Sequence, residues 1–122
     1  MFKELFAVCL LVKNFDVSLS FYKDKLGLSV NQINDNFADF KLNGTSLAIF
    51  QLDDAVSMFS KKYMNSGGGS VFAFQVNNIK ESVKSLKSKG VVIFEGPKTT
   101  PWGQKVAYFQ DPDNNIWEIS EK

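Results

Sequence analysis

An α+β fold built from two βαβββ modules is what this sequence predicts, on three observations. The second half repeats the punctuation of the first: at an offset of 64 residues, Val12, Asn14, Ser18, Lys23 and Lys25 fall on Val76, Asn78, Ser82, Lys87 and Lys89. An apolar strand-like run precedes each helical stretch, and a glycine, Gly27 or Gly90, closes each helix with one residue of slippage. Short strand-like runs then follow each helix. One such unit leaves a half-covered sheet, so pairing of the halves, within a chain or between chains, is the natural way to stabilise it.

The elements follow in order. Leu5 to Val12 is a continuous apolar run, as a strand buried on both faces would be. Asn14 suits a helix N-cap, with Asp16 in the first turn; Val17, Leu19, Phe21, Tyr22 and Leu26 then keep a broadly helical period. Leu28 to Ile33, Phe37 to Leu42 and Ser46 to Leu52 are strand-like, with turns at Asn34-Asp35-Asn36 and Asn43-Gly44. Residues 53–69 read as a linker running into Gly67-Gly68-Gly69-Ser70. The glycines lack the strand–loop–helix setting and the Lys-Ser or Lys-Thr of a phosphate cradle. In the second module Val71 to Val76 is a strand, Asn78 a cap, and Lys80 to Lys89 a helix. Val91 to Phe94, Lys105 to Gln110 and Asn115 to Ser120 are strands, the last two joined by Asp111-Pro112-Asp113-Asn114. The predicted organisation is one domain, 1–122, made of modules 1–52 and 70–122.

Composition narrows the function classes. The chain has 122 residues, and Lys plus Arg number 14 against 13 Asp plus Glu, which gives no pull toward nucleic acid or an anionic membrane. No apolar run approaches the ~18 residues of a membrane span. The single cysteine fits a reducing compartment, and the opening Met1-Phe2-Lys3-Glu4 lacks a signal-peptide pattern; a cytoplasmic protein is expected. There is no histidine, which removes the commonest neutral metal ligand and the usual general base. Twelve phenylalanines, three tyrosines and two tryptophans supply abundant flat apolar surface.

Two stretches carry a family likeness. Val12-Lys13-Asn14-Phe15-Asp16-Val17-Ser18-Leu19-Ser20-Phe21-Tyr22, continuing to Leu26-Gly27, resembles the first-module signature of the vicinal oxygen chelate superfamily of glyoxalases, bleomycin-resistance proteins and ring-cleaving dioxygenases. Pro101-Trp102-Gly103-Gln104 with Phe109-Gln110-Asp111-Pro112-Asp113-Asn114-Asn115-Ile116-Trp117-Glu118 resembles the second-module ending. The resemblance implies modules whose mixed sheet curls around a cleft, in which the metal enzymes place four ligands. Carried onto this chain, those positions hold Ala7, Phe50 (or Gln51, if an insertion shifts the match by one residue) and Val71, and only Glu118 keeps a ligand-type side chain. Iron, nickel or zinc needs several convergent donors, so no metal or other cofactor is expected. A homodimer is expected by the same likeness and because module edges need covering.

The remaining candidates form a binding set, with no catalytic residue assigned. By the resemblance, Trp102 stands at the cleft rim, where it can stack on a planar ligand. Glu118 is the polar anchor, and Phe50, Ala7, Val71, Phe37 and Tyr108 complete the lining. By period two, Cys9, Leu11, Ala73 and Gln75 share the face of Ala7 and Val71, whereas Phe72, Phe74 and Trp117 face a helix. Cys9 reads as a buried, unactivated thiol. Lys80, Lys84 and Lys87 read as a solvated stripe, and Asp111 with Asp113 as a turn rather than a calcium pair. The expected function is metal-free sequestration of a small aromatic or apolar molecule, as in drug-resistance members of the family. The alternative is a lyase, isomerase or dioxygenase of the superfamily, with Glu118 as base or an atypical metal site.

Overall fold

A computed structural model describes all residues, 1–122. The chain divides into two compact units, Met1–Gly67 and Gly68–Lys122. Each contains a four-stranded mixed sheet of the same topology.

In the first unit β1 (Ala7–Val12) leads to α1 (Phe15–Ser20), then β2 (Val30–Ile33), β3 (Phe37–Phe40) and β4 (Ser46–Gln51). The strand order is β1-β4-β3-β2, with β1 parallel to β4 and the other pairs antiparallel. Asn14 caps α1, its side chain accepting the Val17 N–H at 3.1 Å. A second cap comes from the sheet: Gln51 Oε1 accepts the Phe15 N–H at 2.8 Å, and its Nε2 donates to the Lys13 carbonyl at 2.7 Å. The helix then widens into a π-turn at Phe21–Lys25, where the Leu26 N–H reaches back five residues to the Phe21 carbonyl. Gly27, at φ 73°, ends it as a C′ glycine does. Phe15, Ser18, Phe21 and Tyr22 are buried, with Leu10, Val12, Ala38, Phe40, Leu47 and Ile49 from the sheet. Leu5 and Phe6, expected in the first strand, lie outside it and are exposed. The segment expected as a linker carries two 3₁₀ turns, Leu52–Ser57 and Lys61–Tyr63, and the first buries Ala55.

The second unit repeats the plan with β5 (Val71–Val76), α2 (Ile79–Ser88), β6 (Ile93–Thr99), β7 (Lys105–Gln110) and β8 (Ile116–Glu121), in the order β5-β8-β7-β6. Asn78 caps α2 through the Glu81 N–H at 3.0 Å, and Glu121 takes the role of Gln51, accepting the Ile79 N–H at 2.9 Å. Ile79 and Val83, four apart on one helix face, are buried. Beneath α2 the Trp117 ring stacks on Phe74 at 4.4 Å and meets Phe72 at 5.2 Å, as the alternation predicts. Strand β6 runs five residues beyond the expected Phe94, through Gly96-Pro97. It is an edge strand, and its pairing with β7 is irregular between Glu95 and Lys98, which is where a residue without an N–H fits. Gly96, at φ 87°, lies so close to β7 that a Cβ would stand 2.7 Å from the Val106 carbonyl oxygen.

The Asp111 turn fixes the β7–β8 register. Asp111 Oδ1 accepts the N–H groups of Asp113 at 2.9 Å and Asn115 at 2.8 Å, and Oδ2 accepts the Asn115 amide at 2.8 Å. All three residues are buried. Asn114 takes the left-handed conformation, φ 65°, which asparagine tolerates.

Candidate ligand-binding site

Each sheet turns one face to its helix and leaves the other for chemistry. In the second unit, strand alternation and register place Val71, Ala73 and Gln75 of β5, Ile116, Glu118 and Ser120 of β8, and Tyr108 of β7 on the face away from α2. Ala73, Glu118 and Tyr108 form one cross-strand row, Glu118 being opposite both of the others. The Tyr108 hydroxyl donates to Glu118 Oε1 at 2.8 Å. That hydrogen bond, some desolvation and the charges of Glu118 and Glu95 together hold the Tyr108 phenol above its ordinary pKa. Phe94 sets its ring 6.1 Å from that of Tyr108. Glu118 is half-buried, and takes part in neither the Lys98–Glu95 nor the Lys105–Glu121 ion pair.

In the first unit the corresponding face carries Ala7, Cys9 and Leu11 of β1, Ser46, Ala48 and Phe50 of β4, and Phe37 and Asp39 of β3. Phe37 and Phe50 are cross-strand partners with rings 6.3 Å apart, edge to face. Asp39 is held by the Gln32 N–H at 2.8 Å. Cys9 is exposed rather than buried, yet desolvation along the strand pushes its thiol up, away from a reactive thiolate.

Of the seven expected binding residues, the structure brings Phe37 against Phe50 in one sheet and Tyr108 against Glu118 in the other. Val71 lies on the Glu118 face at the start of β5, opposite Ile116, and is exposed. Ala7 stands at the start of β1, opposite Ser46. Trp102 is at the tip of the β6–β7 hairpin, 78% exposed. Lys105, at the base of that hairpin, is three residues along β7 from Tyr108, roughly 10 Å.

Register corrects one assignment. Ala7 and Val71 face Ser46 and Ile116, and Glu118 lies two residues beyond Ile116. The first-unit counterpart of Glu118 is therefore Ala48, and Phe50 corresponds to Ser120. Phe94, Glu95 and Asp39 were not singled out from the sequence; alternation alone would have placed Asp39 on the face of Phe37.

The donor set does not fit a divalent metal. Of the positions that the family likeness assigns to ligands, Ala7 and Ala48 in the first unit and Val71 in the second carry no donor side chain, which leaves Glu118 alone, and nowhere do three or more His, Cys, Asp or Glu side chains gather closely enough to hold an ion.

Two mixed sheets of one topology, each with a helix on one face, define a protein of two βαβββ modules. The comparisons agree. Residues 5–122 match the family model of the glyoxalase-like domain. The uncharacterized protein YraH of Bacillus subtilis (strain 168) is 30% identical over 123 residues, covering 95% of this chain and 96% of that protein. A glyoxalase/bleomycin resistance protein/dioxygenase from Nocardioides superposes with a TM-score of 0.83 at 22% identity, covering 99% of this chain and 84% of that one. A glyoxalase-related enzyme from Fulvimarina pelagi gives 0.82 at 20%, covering 99% and 89%. The chain belongs to the glyoxalase-like domain family, within the vicinal oxygen chelate superfamily. No helix is long and apolar enough to cross a membrane.

Proposed function

We propose that this protein is a metal-free binder of a small aromatic or apolar molecule, of the sequestering or resistance type. One observation carries the reading: the positions where a chelating relative would gather donors hold Ala7, Ala48 and Val71 here, with Glu118 the lone acid. The same faces carry the Phe37–Phe50 and Phe94–Tyr108 ring pairs. Flat apolar surface with few polar groups holds a planar molecule by burial and stacking. Calorimetric titration with neutral planar aromatics is the test. Saturable binding with a negative heat-capacity change, weakened by Phe50→Ala or Tyr108→Ala, is expected. No saturation across the panel, or binding that neither substitution touches, refutes the reading.

The Tyr108–Glu118 hydrogen bond favours a second reading, a metal-independent lyase or isomerase with Glu118 as base. Under it, Glu118→Gln abolishes turnover of a substrate and leaves its binding intact. A cytoplasmic homodimer with no nucleic-acid partner completes the proposal. The lone cysteine, the near-neutral charge and the two edge strands that bound each sheet support it.

A further inference from the structure

Glu118 is an acid without a salt-bridge partner, set among uncharged side chains. Its cross-strand neighbours are Ala73 and Tyr108, its same-face neighbours along β8 are Ile116 and Ser120, and none is basic. The lysines that pair with acids in this unit serve Glu95 and Glu121 instead. Tyr108 satisfies Oε1 with a single neutral donor, while no hydrogen bond is made to Oε2. Oε2 is not sealed away from water, so it stands open to an incoming donor. The donor that an open carboxylate oxygen favours most is a positively charged one.

The surroundings narrow the donor further. A hydrated metal ion would need more anionic ligands than this face supplies. An organic ammonium needs one carboxylate and benefits from ring faces beside it. Such rings are present: Phe94 is half-exposed and 6.1 Å from Tyr108, whose hydroxyl is already on the carboxylate. Glu95, opposite Tyr108 in register, adds negative potential at the phenol. We propose that the face of the second sheet away from α2 takes a small molecule pairing an aromatic ring with a protonated amine, the ammonium on Glu118 and the ring against Phe94 and Tyr108. The inference rests on the binding function proposed above and names the chemical class of its ligand.

Three probes of one shape test it by calorimetry near neutral pH: naphthylmethylammonium, neutral naphthylmethanol and anionic naphthylacetate. The ammonium is expected to bind about tenfold or more tighter than the alcohol, as one charge-assisted hydrogen bond allows. The carboxylate is expected to bind weakest. Glu118→Gln, which still accepts the Tyr108 hydroxyl, should collapse the ammonium's advantage. Tyr108→Phe, which keeps the carboxylate, should retain it. Equal binding of ammonium and alcohol overturns this inference and leaves the binding function standing. Failure of every probe overturns both. A preference that survives Glu118→Gln, or that Tyr108→Phe erases, takes the anchor away from Glu118. The comparison of probes on the unaltered protein stands even where a variant misfolds.

Discussion

Asp111→Ala is the substitution whose cost the structure states most directly. The carboxylate accepts three hydrogen bonds of 2.8–2.9 Å from Asp113 and Asn115, and its residue is 4% exposed. Removal orphans two backbone N–H groups and one amide, each costing about 1–3 kcal/mol if it stays dry. A turn relaxes enough to admit water to part of this set, so the sum is not reached; about 3 kcal/mol is expected. For a unit of this size that lowers Tm by roughly 10–20 °C. Asp111→Asn separates geometry from charge. Its Oδ1 still accepts both backbone groups, but its Nδ2 faces the Asn115 amide, donor against donor, until that amide turns over. About 1 kcal/mol is expected. Urea unfolding followed by tryptophan fluorescence reads both variants, because Trp117 is 3% exposed and reports this unit, whereas Trp102 is already in water. A loss under about 1 kcal/mol for Asp111→Ala, or equal losses for the two variants, would refute the assignment of the turn's stability to these bonds.

Two further outcomes follow from the same unit. The Tyr108 phenol, held up first by its hydrogen bond to Glu118, should titrate above the ordinary tyrosine value in ultraviolet difference spectra and come part of the way back in Glu118→Gln, whose amide oxygen still accepts the hydroxyl but carries no charge. A raised phenol pKa means that the neutral form is favoured by folding. Its contribution is present below the ordinary value and lost as pH climbs through the raised one, so Glu118→Gln should flatten the alkaline end of the stability profile. A Tyr108 that titrates alike in both proteins counts against the pair. Gly96→Ala should cost about 2 kcal/mol or more, because it combines φ 87° with a Cβ 2.7 Å from the Val106 carbonyl oxygen; an unchanged urea midpoint would show that β6 can move aside.

The punctuation of the fold was legible because it depends on local chemistry. Asn14 and Asn78 cap their helices through their own side chains, and Gly27 and Gly90 take the positive φ that a helix end needs. The offset of 64 residues carries β1 (Ala7–Val12) onto β5 (Val71–Val76). What was not legible depends on partners. Ser46-Leu47-Ala48-Ile49-Phe50-Gln51 is apolar on both faces, so alternation assigns the faces without saying which residue pairs with which; only register reveals Ala48 as the counterpart of Glu118. Gly96-Pro97 reads as a strand terminator, but it is tolerated at an irregular edge. The burial of Ala55 comes from tertiary contact that a mixed polar segment does not announce.

The two units have kept one part of their shared plan and diverged in another. The helix ends are served alike: an asparagine cap, then a strand-end side chain, Gln51 or Glu121, on the first helical N–H. These groups satisfy donors that the fold exposes wherever it is built, so the duplicated architecture itself demands them. The row across the middle of each sheet has no such obligation. It reads Cys9–Ala48–Asp39 in one unit and Ala73–Glu118–Tyr108 in the other. Helix-facing residues answer to packing, which is the same problem twice, whereas the opposite face answers to whatever it touches. The difference between those two rows is therefore where selectivity for a ligand would be written. The only hydrogen bond between side chains of that row, Tyr108 to Glu118, lies in the second unit.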